Sequence, residues 1–344
     1  MIDDSALWTW FVFDSGLPTQ RAKALLEAWQ TAGISLTGAL EQVQAQAALL
    51  GLTPGEAGLL ASGRAALRAA PDPPQALTWL DALYPRGLRA LPLRVRPALV
   101  FYQGDTSLLT HPIVYLAPGS VSAGQEELVR ETLSLLLGED IVVGVFEGTP
   151  QAALAMDEAT AAEGELLIFA RSGLGRREPG ESESQFVAHG RALLVSPLPP
   201  SVPFQPGLES VLHQVAWYAS ERVILTADSS PSYPPSGWLT SKPVLELRSA
   251  VEHQPQPAPC ATAREPSDVL DWMEGRTAPE PLPGGVFDGP QGPTSGTSTT
   301  IADDDGGLDA LDHLPPLSPE EILKTLGKSG AIPEVLRRRI LKGH

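Results

Sequence analysis

The sequence has only one cysteine, Cys260, in 344 residues. A single thiol cannot form an internal disulfide and is too few for a cysteine-based zinc site, so both frameworks are excluded. Long hydrophobic runs are also absent, since no stretch approaches the roughly 20 apolar residues that a membrane-spanning helix needs. The acidic first residues do not have the pattern of a signal peptide. We therefore expect a cytoplasmic protein with no disulfide and no membrane association.

Positive charge is scarce as well. The net charge of −17 argues against a general nucleic-acid-binding protein. The acidic residues are concentrated in one region, because positions 251–310 hold eleven of them and two arginines. That region accounts for more than half of the net charge, so the rest of the chain is only mildly acidic and is compatible with a local basic groove.

The hydrophobic fraction of 42% is sufficient for a core, but 34 prolines and 32 glycines are too many for a uniformly packed chain. Changes of composition along the sequence predict five segments. These are a helical N-terminal domain over 1–75, a proline- and arginine-rich connector over 76–111, an α/β domain over 112–250, a disordered acidic linker over 251–317, and two short C-terminal helices over 318–344.

Helical spacing dominates residues 5–70. Apolar residues recur at three- and four-residue intervals between Leu7 and Trp29. The residues from Thr53 to Glu56 read Thr-Pro-Gly-Glu, which combines an N-cap, a proline at the first helical position and a glutamate at the third. This pattern predicts a small bundle of four or five helices.

Short apolar runs alternate with amphipathic stretches between 112 and 250. The runs that we interpret as strands are PIVYLA (112–117), DIVVGVF (140–146), ELLIFA (165–170), ALLVS (192–196), RVILTA (222–227) and PVLELR (243–248). Continuous apolar strands separated by helices indicate βαβ units, and hence an α/β fold with a mostly parallel, doubly wound, Rossmann-like sheet. Ligands bind beyond the carboxyl ends of the strands in such sheets, so the loops there form the candidate site.

Residues 251–317 are rich in proline, glycine, serine, threonine and aspartate, and their low apolar content predicts disorder. One apolar island, PSDVLDWMEG, interrupts them at 266–275. Beyond them, Ser318 and Glu321 mark the start of a short helix and Gly327 marks its end. A second helix is predicted to end before Gly343.

Motifs for catalysis are missing. The sequence has no HExxH, CxxC or GxSxG pattern, and its Gly-Lys-Ser at 327–329 is preceded by Ile322 where a P-loop requires glycine. The loop SGLGRRE at 172–178 has Glu178 where a dinucleotide fingerprint requires glycine. Contact with phosphate and an ordinary solvated turn both stay open for this loop. No cofactor, metal site or catalytic set is predicted, and we expect the protein not to be an enzyme.

The stretch YPRGLRALPLRVRPALVFYQGD precedes the predicted sheet at 84–105. Its prolines hold the chain extended, and its apolar run at 99–102 can lie against the sheet domain. The Tyr-Pro pair, the spaced prolines, the apolar run ending in Gly104-Asp105 and the Leu-Leu pair at 108–109 resemble the segment that enters the sheet domain of the DNA-processing protein A family (DprA, also called Smf).

The resemblance extends to later segments and covers about residues 5–250. Gly144 and Gly148 are similar to the family's pair of glycines around the end of a strand. The segment RALLVSPLPPSVPF (191–204) is similar to a strand followed by prolines, and Ser236-Gly237 to the loop after the fifth strand. The chain is thus similar to a divergent member of this family, with the helical N-terminus as its leading domain.

The candidate site for phosphate or single-stranded DNA lies in the loops after the strands. Its residues are Gly119, Ser120, Ser122, Gly144, Gly148, Thr149, Arg171, Ser172, Gly173, Arg176, Arg177, Ser236 and Gly237. Arginines that the family carries are missing from two of these loops, and arginine is the residue that binds phosphate bidentately. We therefore expect a degenerate site, with weak binding carried by the arginines of the connector and of 171–177.

The resemblance implies a protein that binds single-stranded DNA, forms a homodimer and passes the strand to a RecA-type recombinase in natural transformation. Two other functions stay open. One is a scaffold that binds a partner protein through residues 318–344. The other is a nucleotide-ligand sensor, or a nucleotide-cleaving enzyme, on the same fold.

Overall fold

The structure of the chain is a computed structural model. It describes residues 4–67, 75–119, 121, 123–139, 141–177, 180–226, 238, 242–248 and 261–276. The chain divides into two units, 1–284 and 285–344, and all of these residues belong to the first. The predicted C-terminal helices and most of the predicted linker therefore lie outside the described residues. No helix in the described part is long and apolar enough to cross a membrane.

Helices form the N-terminal part, as the spacing of apolar residues predicted. They are α1 (Asp4–Thr9), which continues as a π-helical turn over Trp10–Asp14, α2 (Thr19–Thr31), α3 (Leu36–Gln42) and α4 (Pro54–Leu67). Helix α4 begins with the predicted capping box. The amide of Glu56 donates to Thr53 Oγ1 at 3.2 Å, and the amide of Thr53 donates to Glu56 Oε2 at 2.8 Å. Each bond satisfies a donor that the helix start leaves free.

The sheet has nine strands in the order β1-β2-β6-β5-β4-β3-β7-β8-β9. They are β1 (Ala76–Thr78), β2 (Leu99–Gly104), β3 (Ile113–Leu116), β4 (Val142–Phe146), β5 (Leu166–Phe169), β6 (Ala192–Ser196), β7 (Arg222–Thr226), β8 (Val244–Leu247) and β9 (Ala261–Ala263). The six predicted strands are β3 to β8. The seven strands that follow one another in the sheet as β6-β5-β4-β3-β7-β8-β9 are all parallel to their neighbours. The prediction of a mostly parallel Rossmann-like sheet is confirmed.

The predicted connector over 76–111 contributes two strands to the sheet. Strand β1 pairs antiparallel with β2, and β2 pairs antiparallel with β6, so the sheet begins at Ala76 and not at residue 112. A short helix, α5 (Arg86–Arg89), lies between them. The prolines are compatible with this pairing because Pro92 and Pro97 precede β2 and interrupt none of its hydrogen bonds. The apolar run at 99–102 is therefore a strand, whereas the sequence predicted only that it lies against the sheet domain.

Helices cover both faces of the sheet. Helices α6 (Ala123–Gly138), α7 (Pro150–Ala162), α8 (Glu181–Ala188) and α10 (Pro266–Met273) bury apolar residues on one face. Helix α9 (Glu209–Ala219) and the N-terminal helices share a hydrophobic core on the other face. Because water reaches neither face, the central strands β3, β4 and β5 have no charged residue, and all four residues of β3 are buried.

The prediction of disorder over 251–317 is wrong for residues 261–276. Strand β9 pairs with β8, and helix α10 buries Val269 and Trp272, which are 0% and 4% exposed. Arg222 donates to the carbonyl oxygens of Trp272 and Met273 at 3.2 and 2.9 Å. The low average apolar content of the region led to the prediction of disorder. The few apolar residues of this segment are nevertheless spaced to cover a sheet face that the rest of the chain supplies.

We expect Trp272→Ala to lower the free energy of unfolding by about 3–5 kcal/mol, the usual cost of removing a buried tryptophan side chain. The matched control is Asp271→Ala, since Asp271 makes only a solvent-exposed ion pair with Arg276. The control should change the same quantity by less than about 1 kcal/mol. Chemical denaturation followed by circular dichroism measures both variants, and equal effects would show that α10 is not part of the folded core.

Candidate functional site

The carboxyl ends of the parallel strands meet at one edge of the sheet, which we call the carboxyl edge. Gly119 follows β3, Gly148 and Thr149 follow β4, and the residues from Arg171 to Gly173 follow β5. The chain starts the parallel sheet at β3, adds β4 to β6 on one side and then β7 to β9 on the other. Ligands of open α/β sheets bind at such a switch of direction. Ser120, Ser122, Ser236 and Gly237 lie outside the described residues.

A buried glutamine, Gln151, joins the two sides of this switch. Its side-chain amide donates to the carbonyl oxygen of Gly119 at 2.6 Å and to Thr226 Oγ1, at the end of β7, at 3.3 Å. Thr149 caps the helix on which Gln151 lies, because its hydroxyl accepts a bond from the amide of Ala152. Sequence analysis named Thr149 and missed Gln151. The available signal was an amide side chain at the second position of a helix that follows a buried strand.

The two glycines of the predicted pair have different roles. Gly144 lies in the middle of β4, where an added Cβ would stand 3.2 Å from the ring of Phe169, so the structure does not bring it to the carboxyl edge. Gly148 does lie at that edge. Its φ is +73°, a conformation that favours glycine, and an added Cβ would lie 3.2 Å from Nη1 of Arg171.

The loop after β5 is fastened to the chain after β6. An added Cβ at Gly173 would lie 1.9 Å from the carbonyl oxygen of Pro199, and the Gly173 amide donates to the carbonyl of Val202 at 2.8 Å. Ser172 is buried, and its carbonyl accepts a bond from Ser196 Oγ at 2.9 Å. A close backbone contact therefore explains the glycine in this loop without any bound phosphate.

Arg177 is held between two glutamates. Its side chain is 5% exposed, and its guanidinium bonds Glu147 Oε1 at 2.8 Å and Glu183 Oε2 at 2.9 Å. Burial opposes its charge, but the bonds from Glu183 and Glu147 outweigh that effect and raise the pKa of Arg177. Arg177 therefore connects the loop after β4 with α8, and it has no donor turned freely to solvent.

Arg171 and Arg176 are more accessible. The guanidinium of Arg171 lies 4.1 Å from the ring centroid of Phe204, which is 38% exposed, and its Nη2 is 3.5 Å from Glu209 Oε1. Arg176 is exposed, and its Nε donates to the carbonyl of Ser201 at 3.0 Å. The structure thus brings Arg171, Arg176, Gly148 and Thr149 to the same edge of the sheet. It adds Phe204, which sequence analysis did not assign.

The arginines of the connector have other surroundings. Arg89 donates to the carbonyl oxygens of Asp81 and Tyr84. Arg96 bonds Glu27 of α2 and lies 5.3 Å from the ring centroid of Trp79. Arg86 lies near the opposite ends of the strands. These contacts give Arg89 and Arg96 structural roles, and the predicted contribution of the connector arginines to DNA binding stays a prediction.

A buried histidine lies beneath Arg171. The ring of His213 packs on Phe146 with 4.0 Å between centroids, and its Nδ1 is 3.4 Å from the hydroxyl of Tyr115. Burial, with a smaller contribution from the charge of Arg171, lowers the pKa of His213 to about 4. The imidazole is therefore neutral at physiological pH and acts as a packing group.

Charges at the carboxyl edge nearly cancel. Arg171 pairs with Glu209, and Arg177 pairs with Glu147 and Glu183, whereas Arg176 bonds only a backbone carbonyl within the described residues. Three arginines and three glutamates therefore leave little net positive charge for a polyanion. Within the ranges that the structure covers, no three histidine, cysteine, aspartate or glutamate side chains are grouped to hold a metal ion. The arrangement can bind an anion weakly and can stack an aromatic group on Phe204.

These features define a doubly wound α/β protein with a candidate site at the switch of its sheet. No known protein-family profile and no curated protein matches the sequence.

The fold is similar to that of a solved structure. DNA processing protein A (DprA) from Streptococcus pneumoniae is similar with a TM-score of 0.58 at 17% identity, over 77% of this chain and 96% of that one. DprA from Helicobacter pylori, described for its single-stranded DNA binding mode, gives a TM-score of 0.43 at 14% identity, over 59% and 89%. The molybdenum cofactor binding protein from Rippkaea orientalis gives 0.32 at 12%, over 48% and 96%. The likeness to the S. pneumoniae protein is one of fold.

We expect Arg177→Ala to lower the free energy of unfolding by about 1.5–3 kcal/mol, because it removes the charge-assisted hydrogen bonds to the half-buried Glu147 and Glu183. Arg176→Ala, one residue earlier, is the matched control and should change it by less than about 0.5 kcal/mol, since that side chain is exposed. Urea denaturation of both variants tests the assignment. A destabilising Arg176→Ala beside a neutral Arg177→Ala would contradict it.

His213 should make stability depend on pH. Its pKa is about 4 in the folded protein against the ordinary value of 6.5, so only the unfolded chain takes up a proton as pH falls through this range. Stability from this group is present above pH 6.5 and is lost towards pH 4. His213→Gln should reduce the loss of unfolding free energy between pH 7 and pH 4 by on the order of 2–3 kcal/mol. The exposed His189→Gln is the control and should leave the pH profile unchanged.

Proposed function

We propose that this chain binds single-stranded DNA at its carboxyl edge, as a divergent relative of DNA-processing protein A. The observation that carries the proposal is the pair formed by Arg171 and Phe204. A fold shared with the S. pneumoniae protein and the order of motifs between 84 and 237 support it. Fold alone does not assign function, so the proposal depends on the chemistry of this pair.

The pair combines the two groups that a single-strand site uses. Bases stack on exposed aromatic rings, and guanidinium groups contact the phosphates between them. Phe204 exposes 38% of its surface, and Arg171 lies against the same ring. Arg176, on the same loop as Arg171, provides a second cation, which makes no ion pair within the described residues. Stacking on Phe204 does not depend on the base sequence of the DNA, because every base has a face that can stack.

Binding at this edge is weak and sensitive to salt. Glu209 lies 3.5 Å from Arg171, and Arg177 is already neutralised by two carboxylates. The phosphate site is thus degenerate, as the missing family arginines predict. Weak binding suits a mediator that must release its strand, so we assign the chain a role in DNA processing or natural transformation, in the cytoplasm.

The remaining parts of the proposal follow from this role. A mediator makes and breaks no covalent bond, so no catalytic residue is required. A homodimer would present two carboxyl edges to one strand, and residues 318–344 would contact a RecA-type recombinase or another protein. The acidic segment between the folded residues and this tail would act as a tether.

A second candidate function is a scaffold that acts through residues 318–344 without binding DNA. The observation in its favour is the pairing of arginines with glutamates at the carboxyl edge, which lowers the attraction for a polyanion. The two functions differ in one measurable property, the affinity of the whole chain for single-stranded DNA.

Fluorescence anisotropy with a labelled oligothymidylate tests the proposal. Phe204→Ala should raise the Kd roughly 5- to 100-fold, the effect of losing one stacked base, and leave the salt dependence unchanged. Arg176→Gln should reduce the slope of log K against log salt by about 0.7, the effect of one phosphate contact. Arg276→Gln is the control for net charge, since Arg276 follows α10 and pairs with Asp271 and Glu274.

Three outcomes are informative. Loss of affinity in Phe204→Ala and a smaller salt slope in Arg176→Gln support the single-strand site. No binding by the wild-type chain at low salt rejects it and favours the scaffold. Equal effects of Arg176→Gln and Arg276→Gln would show that binding follows net charge and has no site at the carboxyl edge.

A further inference from the structure

A cavity of about 640 Å³ lies at the end of the sheet opposite the candidate site. It opens at the amino ends of β3, β7 and β8, and its other wall is the chain around α5. None of the predicted site residues lines it. Ligand sites of small molecules have volumes of about 300–1,000 Å³, so this cavity is large enough for one organic molecule.

The walls of the cavity are held in place by backbone contacts. An added Cβ at Gly87 would lie 1.9 Å from the carbonyl oxygen of Tyr218, so α5 rests directly on the end of α9. The hydroxyl of Tyr84 donates to the carbonyl of Pro97 at 2.6 Å. Lys242 donates to the carbonyl oxygens of Trp217 and Ser220, which end the same helix. The cavity is therefore formed before any ligand arrives.

The charged groups of the cavity differ in how fully they are paired. His111 Nδ1 lies 3.1 Å from Glu165 Oε2. Lys242 is engaged by two carbonyl oxygens, and Glu221 lies close enough to affect its charge. Arg86 is exposed and makes no hydrogen bond or ion pair among the described residues. The cavity thus has one uncompensated guanidinium in a chain whose net charge is −17.

The rest of the lining is mixed, since Thr110, Ser220 and Glu221 are polar. Its apolar part includes Leu83, Leu109 and the ring of Tyr218, whereas Tyr84, Ile113 and Leu91 are only 1%, 4% and 7% exposed. A guanidinium binds carboxylate or phosphate through two parallel bonds, and apolar walls bind a flat hydrophobic body. The guanidinium and the apolar walls together fit a ligand that has both an anionic group and a flat hydrophobic body.

We propose that this cavity binds a small organic anion, a single carboxylate or phosphate group attached to an aromatic body, with Arg86 as the anchor of the charged group. The site is separate from the carboxyl edge, and the proposal does not depend on DNA binding. A ligand here contacts α5, α9 and the start of β8 at once, so it stabilises the junction between the connector and the sheet.

A pair of fluorescent probes tests the proposal on the full-length protein. Anilinonaphthalene sulfonate has an aromatic body and one anionic group, and N-phenyl-1-naphthylamine has the same body without the charge. We expect both to bind. Arg86→Gln should raise the Kd of the sulfonate roughly 5- to 20-fold, the worth of one exposed charge-assisted contact, and should change that of the neutral probe less than about twofold.

Two further variants control this comparison. Ala90→Trp places a large ring at an exposed position of the cavity wall and should abolish binding of both probes. Arg176→Gln removes an exposed arginine at the opposite edge and should change neither probe. Circular dichroism shows whether Ala90→Trp folds. If it does not, the comparison of the two probes in Arg86→Gln still tests whether Arg86 binds the anionic group.

Competition identifies the charged group. If phenyl phosphate displaces the sulfonate and benzoate does not, the ligand carries a phosphate. If benzoate displaces it and phenyl phosphate does not, the ligand carries a carboxylate. Equal displacement by inorganic phosphate would overturn the proposal, because the aromatic body would then contribute nothing. An unchanged sulfonate Kd in Arg86→Gln, or no binding of the sulfonate by the wild-type protein, would also overturn it. Unchanged oligothymidylate affinity in Arg86→Gln confirms that the two sites are independent.

Discussion

Burial of both faces of a parallel sheet is the constraint on which the other features of this structure depend. The central strands are apolar along their whole length, so exposing either face of the sheet to water would be unfavourable. Four helices cover one face, and α9 with the N-terminal helices covers the other. The contact of Phe13 with Phe101 shows that the N-terminal helices share the core of the sheet. With both faces closed, a ligand can reach the described part of the sheet from the two ends of its strands.

The two open ends have different electrostatic character. At the carboxyl edge, glutamates after β4 and at the starts of α8 and α9 pair with the arginines of the loops. These pairs fix the positions of the loops and at the same time reduce the positive potential. At the amino end, the cations are fewer, but Arg86 is left uncompensated beside apolar walls. The carboxyl edge is thus suited to an extended, weakly held polymer, and the amino end to a compact ligand.

Much of the fold could be predicted from the sequence because its signals are local. The capping box at Thr53 and the continuous apolar runs of β3 to β8 each identify an element from neighbouring residues. Strands β1 and β2 were harder to predict, since surrounding prolines mask a run whose partner, β6, is distant in sequence. Helix α10 was missed for a related reason. Its Trp272 and Val269 are stable only against a sheet face built from other parts of the chain.

The candidate site was predicted less completely, because function depends on contacts between loops. Position after a strand was enough to identify Gly148, Thr149 and Arg171. The sequence could not show that Arg177 is enclosed by Glu147 and Glu183, or that Gly144 makes room for Phe169. Gln151 and Phe204 were missed because a glutamine in a helix and a phenylalanine after prolines have no distinctive pattern. Their roles arise from what the fold places beside them.

The antiparallel pairing of β2 with β6 has a consequence for how the chain acquires its structure. Phe101 pairs with Ser196, and β3, β4 and β5 all lie between them in the sequence. As the chain emerges from the ribosome, β2 can pair with β1 but stays without its second partner, β6, until four further strands have been made. Non-local pairings of this kind slow folding, because a long loop must close before the contact forms. This edge of the sheet is therefore completed only after β6 has been made, although β2 and the N-terminal helices that pack against it precede β6 in the sequence.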